Sequence, residues 1–225
     1  MQTLRLKSLL PRTSFAPQWD STIGIFQFND TVALDTIRSF LIQKEPDILK
    51  LKSSGDAGTG LDDSTITSRY GHYNVFNFTD ECPQLNQLLD WLRIEFLEFL
   101  QHEASELFEV EIVCWYNILR DNKKMSEHIH SSNESSYLSG NMQLSTFDTQ
   151  SDYRHPLQTD NSMTIYSKPG QLVIFPSYLP HNVNQEYVGE RISLAFDLYP
   201  THIRKDWGNS IRFMDQDIFK RLTNK

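Results

Sequence analysis

The sequence predicts an α+β, mainly β protein: a β-sandwich or jelly roll with helices supplied ahead of it. Three observations predict this. From Val110 the apolar period changes from helical to alternating, with Val110, Ile112, Cys114, Tyr116 and Ile118 on one face of a strand and Glu109, Glu111, Val113, Trp115 and Asn117 on the other. Further short apolar runs follow at about 140–147, 163–168, 171–176, 181–186 and 191–199, several separated by turn residues such as Lys168-Pro169-Gly170 and Val188-Gly189-Glu190. Before them, Leu85, Leu88, Leu89, Leu92, Phe96, Phe99 and Leu100 recur at three- and four-residue steps, a stripe that needs a sheet to cover it.

Taken in order, the chain opens with a short N-terminal stretch, Met1 to Pro11, whose charges interrupt its apolar residues and deny it the long core of a signal peptide. Asn29-Asp30 are placed to cap a helix from about Thr31 to Lys44, with Val32, Leu34, Ile37, Phe40 and Leu41 near helical spacing. Ser53 to Gly60 is rich in small and polar residues and reads as a loop; its glycines follow no clear strand, which argues against a phosphate loop. The strongest helix begins near Cys82-Pro83, proline being favoured in a first turn. The strands come next, and the tail from Trp207 to Lys225 reads as a terminal helix packed on the body or on a second subunit. The expected organisation is one unit over 1–225: helical support at about 29–105, the β core at about 108–200 and a helical tail at about 205–225.

Composition narrows the functional classes. The 225 residues are 39% hydrophobic, enough to bury a core without disulfides, and only Cys82 and Cys114 are present, which suits a reducing compartment. A net charge of −8 argues against nonspecific binding to nucleic acid or anionic membrane. No apolar run reaches the roughly 18 residues of a membrane span, so a cytoplasmic location is the expectation.

Chemistry gathers on three of the seven histidines. His128-Ile129-His130 places two imidazoles two residues apart; on an extended segment both leave one face and can reach one ion. His181 follows 51 residues after His130, directly behind the apolar run Leu172 to Phe175 and a turn bracketed by Pro176 and Pro180. Imidazole is a common ligand of iron and zinc in open sites. The plainer reading is a solvated loop and a turn histidine. Arg191 stands ten residues after His181, and a turn at 188–190 would fold its strand back beside the one carrying His181, bringing the guanidinium into the barrel. There it needs a carboxylate partner; the alternative is a surface arginine paired with Glu190 or Glu186. His72, His102, His155 and His202 have no partner at metal spacing.

Asn117-Ile118-Leu119-Arg120, His128-Ile129-His130, Leu138-Ser139-Gly140, the run Gly170 to Ser177, His181 and Gly189-Glu190-Arg191-Ile192-Ser193 occur in that order. Together they resemble the Fe(II)- and 2-oxoglutarate-dependent oxygenases over about residues 67–199, closest to a bacterial and phage subgroup with a His-x-His and Ser-Gly motif. The resemblance implies a double-stranded β-helix, a cupin-like jelly roll, and the co-substrates 2-oxoglutarate and O2 at a catalytic Fe(II). It makes His128 and His181 the histidines of the metal site, Arg191 the anchor of the distal carboxylate of 2-oxoglutarate, and Ser193 a second contact. The usual acidic ligand would fall at residue 130, where this chain has histidine. Either His130 is a third ligand or the iron keeps an extra open position; Glu127 and Glu134 are nearby carboxylates without the spacing. An aspartate at 130 would give the more usual triad, and a neutral histidine there leaves the iron more positive by one charge, so a compensating carboxylate is expected. Where relatives place a tyrosine facing the cofactor this chain has Gln143, and Asn117 or Trp115 is positioned to line the pocket.

The implied activity is a hydroxylase coupling 2-oxoglutarate decarboxylation to substrate oxidation. Two other readings use the same residues: a three-histidine cupin-type dioxygenase with no need of 2-oxoglutarate, and a non-catalytic β-sandwich binding module. The substrate is left open among protein side chains, nucleotides and small metabolites, and so is a homodimer; no membrane partner is expected.

Overall fold

A computed structural model describes residues 1–203 and 208–223. Two strands, β1 (Gln2–Leu6) and β2 (Ser21–Gln27), precede the first helix, α1 (Thr31–Ile48). After a long loop and two 3-10 turns (Ile66–Arg69 and Val75–Phe78) comes α2 (Gln84–His102). Nine strands follow: β3 (Val110–Leu119), β4 (Met125–His128), β5 (Leu138–Gln143), β6 (Thr149–Arg154), β7 (Ser162–Ser167), β8 (Gln171–Pro176), β9 (His181–Val183), β10 (Arg191–Pro200) and β11 (Ile211–Met214). A short helix, α3 (Gln216–Thr223), ends the described chain.

The strands form two antiparallel sheets, one in the order β1-β2-β8-β5-β10-β3-β11 and a smaller one in the order β4-β9-β6-β7. From β3 to β10 the chain switches back and forth between the sheets, the winding of a double-stranded β-helix. The alternation read from the sequence fixes the faces. Ile112, Cys114, Tyr116, Ile192, Leu194, Phe196, Leu172 and Ile174 turn outward from the large sheet and form one core with Leu34, Ile37, Leu41, Leu85, Leu88, Leu92 and Phe96 of the two long helices. The stripe on α2 is covered by a sheet as its pattern requires. That helix has no side-chain N-cap, a loss of about 1 kcal/mol. Its eight buried apolar side chains each contribute roughly 1.5–3 kcal/mol. Packing decides its place.

Several expectations are corrected. Asp30 caps α1 by accepting the Ala33 amide at 2.9 Å, but the helix runs past Lys44 to Ile48, with Pro46 in its last turn and Ile48 buried in the core. Val32 is exposed, because it lies in the first turn on the solvent side. The N-terminal region is not only helical: β1 and β2 extend the large sheet beside β8. The expected tail helix is split. Residues 211–214 pair with β3 as a sheet edge and only Gln216–Thr223 is helical; Trp207, Asn224 and Lys225 lie outside the described residues. No helix among the described residues is long and apolar enough to cross a membrane.

Two glycines set geometry that the site depends on. Lys168-Pro169-Gly170-Gln171 closes a turn in which the Gln171 amide reaches the Lys168 carbonyl at 2.9 Å and Gly170 has φ +80, the type II arrangement that calls for proline then glycine. Gly140 needs its missing side chain for another reason. It faces the helices opposite Phe196, and a Cβ there would run into the Phe196 ring.

Candidate metal centre

The two sheets enclose a cavity of about 410 Å³, and strand register builds its walls row by row. On the small sheet His128 stands opposite His181, and His181 opposite Tyr153, so the three side chains lie abreast on one face. On the large sheet, β10 turns Arg191, Ser193, Ala195 and Asp197 to the cavity. Asn117 and Trp115 stand beside Ser193 and Ala195 from β3, and Gln143, Asn141 and Ser139 beside Ser193, Ala195 and Asp197 from β5. His130 lies just beyond the end of β4, held by its own amide on the Ser177 carbonyl at 3.0 Å.

His128, His130 and His181 each offer a ring nitrogen, and these atoms lie within 4.8 Å of one another. The rings are 4.4 to 5.6 Å apart between centroids. Each Nδ1 has an acceptor: His128 on the Ser126 carbonyl at 2.8 Å, His181 on the Leu179 carbonyl at 3.0 Å, and His130 on Asp197 Oδ1 at 2.5 Å. A carbonyl oxygen only accepts, so His128 and His181 carry their proton on Nδ1 and keep Nε2 as a free lone pair, the form that binds metal. Electrostatics agree. Burial and the neighbouring His130 push His128 down to about 4, and burial followed by the other two histidines pushes His181 well below its ordinary value. His128 and His181 are thereby held in the neutral, metal-binding form at pH 7. Of the two fallback carboxylates, Glu127 is engaged elsewhere, in a two-point ion pair with Arg154.

Asp197 did not figure in the sequence reading. It accepts from His130, from Ser139 at 2.6 Å and from the Tyr199 hydroxyl at 3.0 Å. Burial works against its charge, but the His130 ring and these donors outweigh it and hold the carboxyl below its ordinary value. A signal was available: Asp197 has the same strand parity as Arg191 and Ser193. Ser139 of the Ser-Gly pair thus serves the cavity while Gly140 serves the core behind it.

Arg191 enters the same cavity. It is only 5% exposed, its Nη2 meets Ser151 Oγ at 3.3 Å, and its buried Nε has no partner among the described residues. Burial lowers its pKa to about 10. No carboxylate pairs with it among the described residues; Glu190, the surface partner considered above, binds Arg120 at 2.6 Å instead. The route by which it arrives differs from the expectation. Its strand is not beside the one carrying His181: the chain crosses from the small sheet at β9 to the large one at β10, so Arg191 reaches the cavity from the opposite wall.

Ser193 and Asn117 both line the cavity. Asn117 accepts the Thr67 hydroxyl at 2.8 Å and faces Ser193 Oγ at 3.4 Å. Gln143 is buried on the inner face, but its amide is engaged with Thr149 and Ser145 and it does not reach the cavity wall. Tyr153, absent from the sequence reading, is fully buried, stacks on His181 at 5.6 Å and meets Asn141 Nδ2 through its hydroxyl at 2.7 Å. Trp115 both packs and lines: it lies against Tyr70 at 5.7 Å and against His130 at 5.6 Å. His155 is a fully buried structural residue packed against Trp19, with ring centroids 5.2 Å apart.

Residues 113–197 match the family model described as "Putative 2OG-Fe(II) oxygenase", a stretch that contains all three histidines, Ser139-Gly140, Arg191 and Asp197. Over that stretch the chain is similar to the 2OG-Fe(II) oxygenases. Solved structures share its fold. A prolyl-4-hydroxylase of Pseudomonas putida superposes with a TM-score of 0.51 at 16% identity, covering 79% of this chain and 92% of that one. AviO1 of Streptomyces viridochromogenes Tue57 superposes with a TM-score of 0.50 at 12% identity, covering 79% of this chain and 89% of its own. At these identities the likeness is one of fold. No curated protein matches the chain. The matched family is described by its use of Fe(II) and 2-oxoglutarate, and the three histidines of this stretch form a group that can hold a metal ion.

Proposed function

We propose that the chain is an Fe(II)- and 2-oxoglutarate-dependent hydroxylase in which His128, His130 and His181 hold the metal and Arg191 anchors 2-oxoglutarate. The observation that carries this reading is Arg191: a buried guanidinium without a carboxylate partner among the described residues, in one cavity with three histidines whose ring nitrogens converge. A buried charge left unpaired is costly, several kcal/mol even after relaxation. A dicarboxylate reaching from the metal to Arg191 removes that cost.

The residues fit both groups. Three imidazoles, two of them fixed as Nδ1–H tautomers, are a borderline-soft donor set suited to Fe(II). When bound, the iron supplies the O2 chemistry that couples 2-oxoglutarate decarboxylation to oxidation of a substrate. Arg191 presents a planar fork to the far carboxylate, and a fork sets orientation as well as affinity. Ser151, which meets Arg191 Nη2, and Ser193 offer hydroxyls in the same cavity, and Asn141, another lining residue, donates to the Tyr153 hydroxyl. Phe175, Val183 and Trp115 make the adjoining walls apolar, which keeps bulk water from competing for the charged ends.

A three-histidine dioxygenase independent of 2-oxoglutarate would account for the metal cluster and leave Arg191 without a task. The separating experiment is succinate release from 2-oxoglutarate by the Fe(II)-loaded protein under air, with candidate protein, nucleotide and metabolite substrates. Stoichiometric succinate that requires Fe(II), O2 and Arg191 supports the reading. Substrate oxidation without consumption of 2-oxoglutarate sinks it.

A further inference from the structure

Asp197 is a half-buried carboxylate on the cavity wall whose single ion-pair partner among the described residues is an imidazole of the metal cluster. The side chains of both are largely enclosed, 7% exposed for His130 and 14% for Asp197. The carboxylate is not loosely placed. Ser139 and Tyr199 fix its two oxygens, and Ser177 Oγ stands 2.9 Å behind Ser139. An enclosed carboxylate needs a cation or it is expensive, and imidazole ligands bring a divalent ion no negative charge. Each half of the arrangement lacks what the other has.

We infer that Asp197 is a positioning residue that completes the metal centre: through the His130 Nδ1–H it orients the ring and returns the negative charge that a carboxylate ligand at position 130 would have supplied directly. His130 and Asp197 then act as one unit, a carboxylate delivered through an imidazole. This rests on the metal-site reading above and deepens it. It also reverses an expectation taken from the sequence. An aspartate at 130, expected to restore metal binding as the more usual triad, would stand beside Asp197 and bring two like charges together in a largely enclosed place.

The test is a double-mutant cycle read by metal affinity, with Co(II) as an oxygen-stable probe followed by calorimetry and by its visible spectrum. Asp197→Asn keeps the shape and removes the charge; it should weaken Co(II) binding about 10- to 100-fold, the range of losses for partners of metal ligands, and shift the Co(II) bands. His130→Asp alone should also bind poorly. Combined with Asp197→Asn, which relieves the repulsion, it should bind at least about 10-fold more tightly than His130→Asp alone. A purely structural Asp197 would not produce that rescue. Thermal melts of the metal-free variants identify any that fail to fold, and the Co(II) spectrum of Asp197→Asn at saturation reads the charge independently of the cycle. Asp197→Asn binding within twofold of the parent, or a double variant no better than His130→Asp, overturns the proposal. If His181→Ala abolishes binding in that same series, the metal-site reading survives its failure; a parent that takes up no stoichiometric Co(II) overturns both.

Discussion

His181 is the most enclosed of the three histidines, packed between Tyr153 and Phe175 with its Nδ1 held by the Leu179 carbonyl. Its ring cannot turn away without losing those contacts, so its Nε2 is presented whether or not a metal is there. His181→Ala should therefore abolish stoichiometric metal while the fold remains, checked by elemental analysis and circular dichroism; full occupancy in that variant would refute the ligand set. Residue-level chemistry was partly legible in the sequence. His128, His130, His181 and Arg191 are rare residue types at telling spacings, and a pattern of that kind survives without a structure. Asp197 and Tyr153 were harder to find because their roles depend on neighbours supplied by other strands: Asp197 by His130, Tyr153 by Asn141 and His181.

At the scale of elements, the readable ones were those with an apolar side. The α2 stripe and the alternation of β3, β8 and β10 gave helix, strand and face because each buries hydrocarbon against the other. β6 was missed for the converse reason. Its inward residues are Thr149, Ser151 and Tyr153, polar groups that line the interior of the barrel, so the hydrophobic period is silent where the strand carries function. β4 is four residues long and ends at a metal-site histidine, too short for periodicity to declare. The Ser139-Gly140 pair offers a test at this scale. Adding a methyl at Gly140 drives it into Phe196, and overpacking of this kind costs roughly 1–3 kcal/mol. Gly140→Ala should lower Tm by about 2–4 °C per kcal/mol in a chain of this size, and pairing it with Phe196→Leu should recover part of the loss. An unchanged melting point would show that the two faces of β5 are not so tightly divided.

At the scale of the whole molecule, the metal site should set how stability varies with pH. His128 titrates near 4 when folded and near 6.5 when unfolded, and His181 is depressed in the same direction. Between those values the unfolded chain binds protons that the folded chain does not, so metal-free protein loses stability as pH falls from about 6.5 toward 4, by up to about 1.4 kcal/mol per pH unit for each fully differential group. Denaturant melts of the metal-free parent should fall more steeply over that window than those of His128→Gln. Equal slopes would mean that the ring is not held neutral. Bound metal, which takes the same neutral form, should move the loss to lower pH.

The central claim is that one cavity holds both a metal on three histidines and a dicarboxylate on Arg191, and calorimetry of 2-oxoglutarate with Mn(II)-loaded protein under anaerobic conditions tests it most directly. The parent should bind 2-oxoglutarate with metal present. Arg191→Ala should bind it about 30- to several-thousand-fold more weakly, the equivalent of roughly 2–5 kcal/mol for a buried charged pair, while still taking up one Mn(II). Arg191→Lys should recover only part, since a point charge replaces a planar fork. A parent that does not bind 2-oxoglutarate, or an Arg191→Ala variant that binds it as well as the parent, would contradict the account.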